Sequence, residues 1–123
     1  MVLVDTSIWI DHVRSGDRAL GALLDDDNVL MHPFVLGEFA LGTPARRGAV
    51  LATLADIPRA TMATDAEAMA FIERFALYGR GIGYVDAHLL GSTLLTVGAR
   101  LWTRDRRLRD AADRLGVAFD GHA

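Results

Sequence analysis

Short apolar runs alternate with longer amphipathic segments along nearly the whole chain, and this alternation restricts the fold more than any other feature. Val2-Leu3-Val4, Val29-Leu30-Met31, Arg100-Leu101-Trp102-Thr103 and Val117-Ala118-Phe119 have the length and content of buried strands, and a further short strand is expected near Arg59-Ala60-Thr61. Between them lie helical segments. Thr6-Ser7 offers an N-cap to Ile8 through Val13, and Asp17 to a helix carrying Leu20, Leu23 and Leu24. Pro33 opens a helix with Phe34, Val35, Glu38, Phe39 and Leu41 that stops at Gly42-Thr43-Pro44. Further helices are expected over Ala45 to Ala55, after a cap at Thr64 or Asp65, over Tyr84 to Val97, and over Asp105 to Leu115. This order predicts an α/β protein with a parallel sheet. At 123 residues it predicts one domain, 1–123, with Gly121-His122-Ala123 loose at the end.

Composition removes whole classes of chemistry. All 13 basic residues are arginine, so there is no P-loop lysine, no Schiff base and no lysine general base. Cysteine is absent, which excludes disulfides, a thiolate nucleophile and a cysteine zinc site. No apolar run approaches the roughly 18 residues of a membrane span, and the first residues lack a basic leader. A soluble, cytoplasmic protein without a membrane partner is expected. Of the 16 acids, 13 are aspartate.

Four of those acids stand where an exposed charge does not belong, or where α/β sheets bind ligands. On a helix, Asp86 shares its face with Leu89, Leu90, Thr93 and Val97. Glu38 shares its face with Phe34, Val35, Leu41 and Gly42. Asp5 and Asp105 follow the carboxyl ends of the first and a later strand, where open α/β sheets form their crevices. Taken singly, each acid reads equally as a cap, a turn or an ion-pair partner. Taken together, four carboxylates without a lysine have only arginine or a metal to offset them, and such a cluster would take up protons or bind a divalent cation. All-oxygen donors favour Mg2+ or Mn2+ over zinc, and metal-assisted attack of water on a phosphodiester is the chemistry this favours.

The pieces Val2-Leu3-Val4-Asp5-Thr6-Ser7, Glu38, Gly83-Tyr84-Val85-Asp86-Ala87-His88-Leu89-Leu90 and Leu101-Trp102-Thr103-Arg104-Asp105-Arg106-Arg107-Leu108 resemble, in order and spacing, the PIN-domain ribonucleases, specifically VapC-type toxins of bacterial toxin–antitoxin pairs. The resemblance implies a three-layer α/β/α fold with a parallel sheet of about four or five strands. It implies that Asp5, Glu38, Asp86 and Asp105 are the catalytic, Mg2+- or Mn2+-holding quartet, Asp105 being the position most variable in role. It also implies cleavage of RNA, typically tRNA or rRNA, a VapB-type antitoxin covering the acidic pocket, and a homodimer. Ser7 and Thr103 match polar positions that orient a carboxylate or a water. A catalytically inactive PIN-like module that binds RNA or protein is the alternative. An aspartyl-phosphate phosphatase with Asp5 as nucleophile is disfavoured by Ser7 two positions on and by the missing lysine.

The arginines beside Asp105 carry two readings. Arg104 and Arg107 read as contacts to RNA phosphate or to the antitoxin, Arg104 facing the site. Alternatively Arg106, Arg107 and Arg109 belong to a solvated helix face laced by the i,i+4 pairs Arg106–Asp110, Arg109–Asp113 and Asp110–Arg114. Gly79-Arg80-Gly81-Ile82-Gly83 reads as a hinge before the Asp86 helix. His12, His32, His88 and His122 form no metal-ligand spacing, and His88 lies on the helix face opposite Asp86. Asp25-Asp26-Asp27 reads as a solvated helix end, Asp11 as a surface residue, and Trp9 and Trp102 as core or interface aromatics.

Overall fold

The computed structural model describes residues 1–121; His122 and Ala123, including the expected loose end and one of the four histidines, lie outside the described residues. The elements run β1 (Val2–Val4), α1 (Thr6–Ser15), α2 (Arg18–Asp25), β2 (Val29–Leu30), α3 (Pro33–Ala40), α4 (Arg47–Ala55), α5 (Asp65–Arg74), α6 (Tyr84–Leu95), β3 (Arg100–Trp102) and α7 (Arg106–Arg114). The strands are parallel in the order β2-β1-β3, with Val2 beside Val29 and Arg100, and Leu3 beside Leu30 and Leu101. Helices flank this sheet as the layers of an α/β/α sandwich.

Three strands form, where four or five were expected. The two missing ones survive as single parallel bridges at the edges, Met31 with Arg59 and Leu101 with Ala118. Their backbone bonds are still of sheet type: Met31 N–H donates to Pro58 O at 2.8 Å and Phe119 N–H to Leu101 O at 2.8 Å. Pro58 has no N–H to give a further neighbour, which suits an edge and stops its strand from growing. β1 occupies the centre because all three of its side chains are buried, as a strand covered on both faces requires. Around it Leu3, Val4, Ile8, Trp9, Leu20, Met31, Leu89, Leu90, Leu101 and Leu108 are almost completely buried. Each is worth roughly 1.5–3 kcal/mol of transfer free energy.

Helix starts follow the expected chemistry with one shift. Asp17 caps α2 through Leu20 N–H at 2.9 Å, and Thr64 with Glu67 forms a capping box on α5. His32 precedes Pro33 and accepts from Phe34 N–H at Nδ1, 3.0 Å. The cap of α1 is Asp5 rather than Thr6 or Ser7. Its own N–H is still paired to Trp102 O at 2.9 Å, so Asp5 is the last sheet-bonded residue and Thr6 the first helical one. Among the described residues no helix is long and apolar enough to cross a membrane.

Candidate active site

A cleft of about 530 Å³ opens at the carboxyl ends of β1 and β3, lined by Asp5, Thr6, Ser7, Ile10, Glu38, Asp86, Arg104 and Asp105. All four expected acids therefore share one cavity. Each arrives on a different element: Asp5 at the β1–α1 turn, Glu38 on α3, Asp86 in the first turn of α6, and Asp105 as the N-cap of α7.

Two buried threonines string three of the acids together. Thr6 N–H donates to Asp5 Oδ1 at 2.7 Å, and Thr6 Oγ1 donates to Glu38 Oε1 at 3.1 Å. Thr103 Oγ1 donates to Asp5 Oδ2 at 2.8 Å and accepts from Asp105 N–H at 3.1 Å. Asp105 Oδ1 then takes the N–H groups of Arg107 and Leu108, at 2.9 and 3.2 Å. Thr103 thus holds a carboxylate through its hydroxyl, as its neighbourhood predicts. Ser7 lines the cleft, but among the described residues its hydroxyl bonds to none of the acids. Thr6 is the residue sequence reasoning passed over. The signal for it was the strand-to-helix turn itself, which buries the first helical side chain beneath the cap.

Asp86 has no hydrogen-bond partner among the described residues. Burial, and then the charges of Asp5, Asp105 and Glu38, push its carboxyl from 3.8 up to about 6. Gly83 caps α6 without a side chain, so the free N–H groups of that helix favour an anion at Asp86. That effect, roughly 0.3–1 kcal/mol, loses to burial and crowding by three like charges together. The face of α6 is as expected for Leu89, Leu90 and Thr93, which are buried. Val97 lies past the helix end and is fully exposed. Glu38 departs from expectation: it is exposed, as are Phe34 and Leu41, and it lines the cleft rather than the core.

The donor set suits a hard divalent cation. It is all carboxylate, its mutual repulsion is uncompensated, and the one arginine in the cleft is occupied elsewhere. Among the described residues no three carboxylates or imidazoles stand together as a ready cage. Mg2+ asks for less, since it keeps several waters and commonly takes one or two carboxylates.

Around the cleft the arginines divide. The Arg104 guanidinium is paired with Asp11 and Asp17, so Asp11 is an ion-pair partner rather than a bare surface residue. Arg107 has no carboxylate partner among the described residues, and its guanidinium lies against Gly81, in the loop that leads into α6. Of the expected i,i+4 pairs only Arg109–Asp113 forms among the described residues, at 3.8 Å; Arg114 instead donates to Phe75 O. His12, His32 and His88 stay out of the cleft. Buried His88 bonds Asp65 at 3.1 Å and packs its ring on Tyr84 and Phe34. His32 bonds Ser92 Oγ at 3.2 Å, and His12 Nδ1 accepts from Asp17 N–H at 2.9 Å. Trp9 and Trp102 are core residues.

Comparison with known proteins identifies the family. Residues 2–114 match the family described as PIN domain. The curated protein Ribonuclease VapC32 of Mycobacterium tuberculosis, in the strains CDC 1551 / Oshkosh and ATCC 25618 / H37Rv, is 49% identical over 119 residues, covering 97% of this chain and 96% of the relative. No solved structure gives a significant match. With four acids gathered at the strand ends, and a match running through all of them, the chain belongs to the PIN-domain family and is of its VapC type.

Proposed function

We propose that this protein is an endoribonuclease toxin that uses Mg2+ or Mn2+ to cleave RNA, with tRNA or rRNA as substrate class and a VapB-type antitoxin as its inhibitor. The observation that carries the reading is the cleft in which Asp5, Glu38, Asp86 and Asp105 meet, three of them fixed by threonine hydrogen bonds and the fourth raised to about 6 by burial and then by the charges of the other three. Such crowding is costly in a protein without a counter-ion and useful in one that binds a cation. The relative's name, a ribonuclease, supports RNA as the substrate.

In this reading Asp5 and Asp86 would hold the cation directly, Glu38 would hold it directly or through water, and Asp105 would hold a second cation or orient the attacking water. When bound, the metal lowers the pKa of water and offsets charge that builds on the phosphodiester. Thr6 and Thr103 keep Glu38, Asp5 and Asp105 in register, and Ser7 lines the mouth where a water or a ribose sits. Arg107, free of carboxylates, meets RNA phosphate beside the α6 loop. The protein acts as a homodimer in the cytoplasm, and the antitoxin's tail covers the acidic cleft.

Water attacks phosphorus, the bond to the 3′ oxygen breaks, and the products carry a 5′-phosphate and a 3′-hydroxyl. Incubating the purified protein with total tRNA and Mn2+ tests this. Products with those ends, and no cleavage in EDTA, are expected. No cleavage, together with no divalent-ion site in a calorimetric titration, would support the inactive RNA- or protein-binding module instead.

A further inference from the structure

Among the described arginines near Asp105, Arg104 reaches farthest along the chain. Its NH1 donates to Asp11 Oδ2 and its NH2 to Asp17 Oδ2 at 3.3 Å, partners 93 and 87 residues away. Asp11 stands in the middle of α1, and Asp17 is the N-cap of α2. Asp17 is itself fixed before Arg104 arrives: Oδ1 accepts from Leu20 N–H at 2.9 Å, its own N–H donates to His12 Nδ1 at 2.9 Å, and its side chain is only 21% exposed. The planar guanidinium matches a pair of carboxylates on one side, as a lysine could not. A lone exposed ion pair does little. Here one guanidinium spans two elements and fastens the short connection between β3 and α7. Thr103 and Asp105, its neighbours in that connection, carry the hydrogen bonds to Asp5 and to the α7 N-terminus.

We propose that Arg104 is a positioning residue: by clasping Asp11 and Asp17 it fixes the Thr103–Asp105 segment, and with it Asp105, against α1, and it does not contact RNA phosphate. Two carboxylates outweigh its single charge, so the clasp offers an incoming phosphate no net attraction. This inference rests on the reading of Asp105 as one of the site's carboxylates.

The test compares Arg104→Gln, the pair Asp11→Asn with Asp17→Asn, and all three combined, in RNA cleavage with Mn2+. Asn at position 17 keeps the cap on α2 while removing the charge. Each variant is expected to lower kcat about ten-fold, as loss of a supporting partner does, with KM unchanged. The triple variant is expected to be no worse than either parent, since both remove the same clasp. RNA affinity, measured in the Asp5→Asn background where RNA survives, keeps its salt dependence. The proposal is overturned if Arg104→Gln raises KM and flattens the log–log salt slope by about 0.7, the mark of one lost phosphate contact on a single strand, while the aspartate pair variant tightens RNA binding. Circular dichroism reports folding. If Arg104→Gln does not fold, Arg104→Lys replaces it: a lost fork lowers kcat, whereas a phosphate contact keeps its KM and kcat with lysine. If the wild-type protein cleaves no RNA, the functional reading fails, and the clasp is read instead by a thermal-stability cycle. Non-additive shifts in Tm support it and additive shifts overturn it.

Discussion

Asp86 is held in the first turn of a helix that favours its charge, among three carboxylates that oppose it, and its carboxyl stands near 6. In the absence of divalent ions this charge destabilises the fold. Asp86→Asn should therefore raise Tm by a few degrees in EDTA at neutral pH while abolishing cleavage; a lower Tm would mean that the carboxylate is not crowded. The pH dependence has a definite sign. Asp86 binds its proton more tightly folded than unfolded, so its contribution to stability falls as pH rises from 3.8 to about 6 and stays lost above. His32 runs the other way. Burial first, then His88 and Arg59, lower it from 6.5 to about 4, so its contribution is lost as pH falls through that range. The two slopes oppose each other in the wild type. Removing one exposes the other: Tm of Asp86→Asn should climb more steeply between pH 4 and 6.5 than that of the wild type, and parallel curves would contradict this. Thr103 makes the third residue-scale case. Thr103→Val loses the bonds to both Asp5 and Asp105, so activity should fall about 10–100-fold, and Thr103→Ser should restore most of it.

At the scale of elements, the connection before α6 is the most tightly specified. Gly81 adopts φ +75°, and an added Cβ would stand 2.8 Å from Cδ and NH1 of Arg107. Gly81→Ala should cost about 1–2 kcal/mol for the left-handed backbone alone, read by urea unfolding, and should displace Arg107 as well. A neutral Gly81→Ala would show that the loop relaxes freely. Much of the element order was legible from residues with one local meaning: Asp17 and Thr64 as caps, Pro33 at a first turn, Val2-Leu3-Val4 as a buried strand. Elements that depend on a neighbour were not. The edge strands shrink to single bridges because pairing on one side leaves too little ladder to extend, and Glu38, on a helix that ends almost where its apolar spacing implies, lines the cleft instead of the core. The partners of Arg104 lie about ninety residues away, and no local pattern points to them. The four acids were legible as a set because carboxylates at strand ends and on apolar helix faces are each hard to accommodate alone.

At the scale of the whole molecule, a net charge of −3 discourages binding to a polyanion. The charge is not spread evenly. Four of the negatives line one cleft, and a net of −3 without those four leaves +1 on the remainder. With no lysine in the chain, attraction for phosphate has to come from arginine or from bound cations. The architecture thus places repulsion where a metal would neutralise it and leaves arginines such as Arg107 outside. The most direct test of this account is the chemistry of the RNA ends made by the wild-type protein in Mn2+, with EDTA and Asp5→Asn as controls. The account predicts 5′-phosphate and 3′-hydroxyl ends that vanish in both controls. A 2′,3′-cyclic phosphate, or cleavage that persists in EDTA, would contradict it, since the RNA's own 2′-hydroxyl or a metal-free site would then be doing the chemistry.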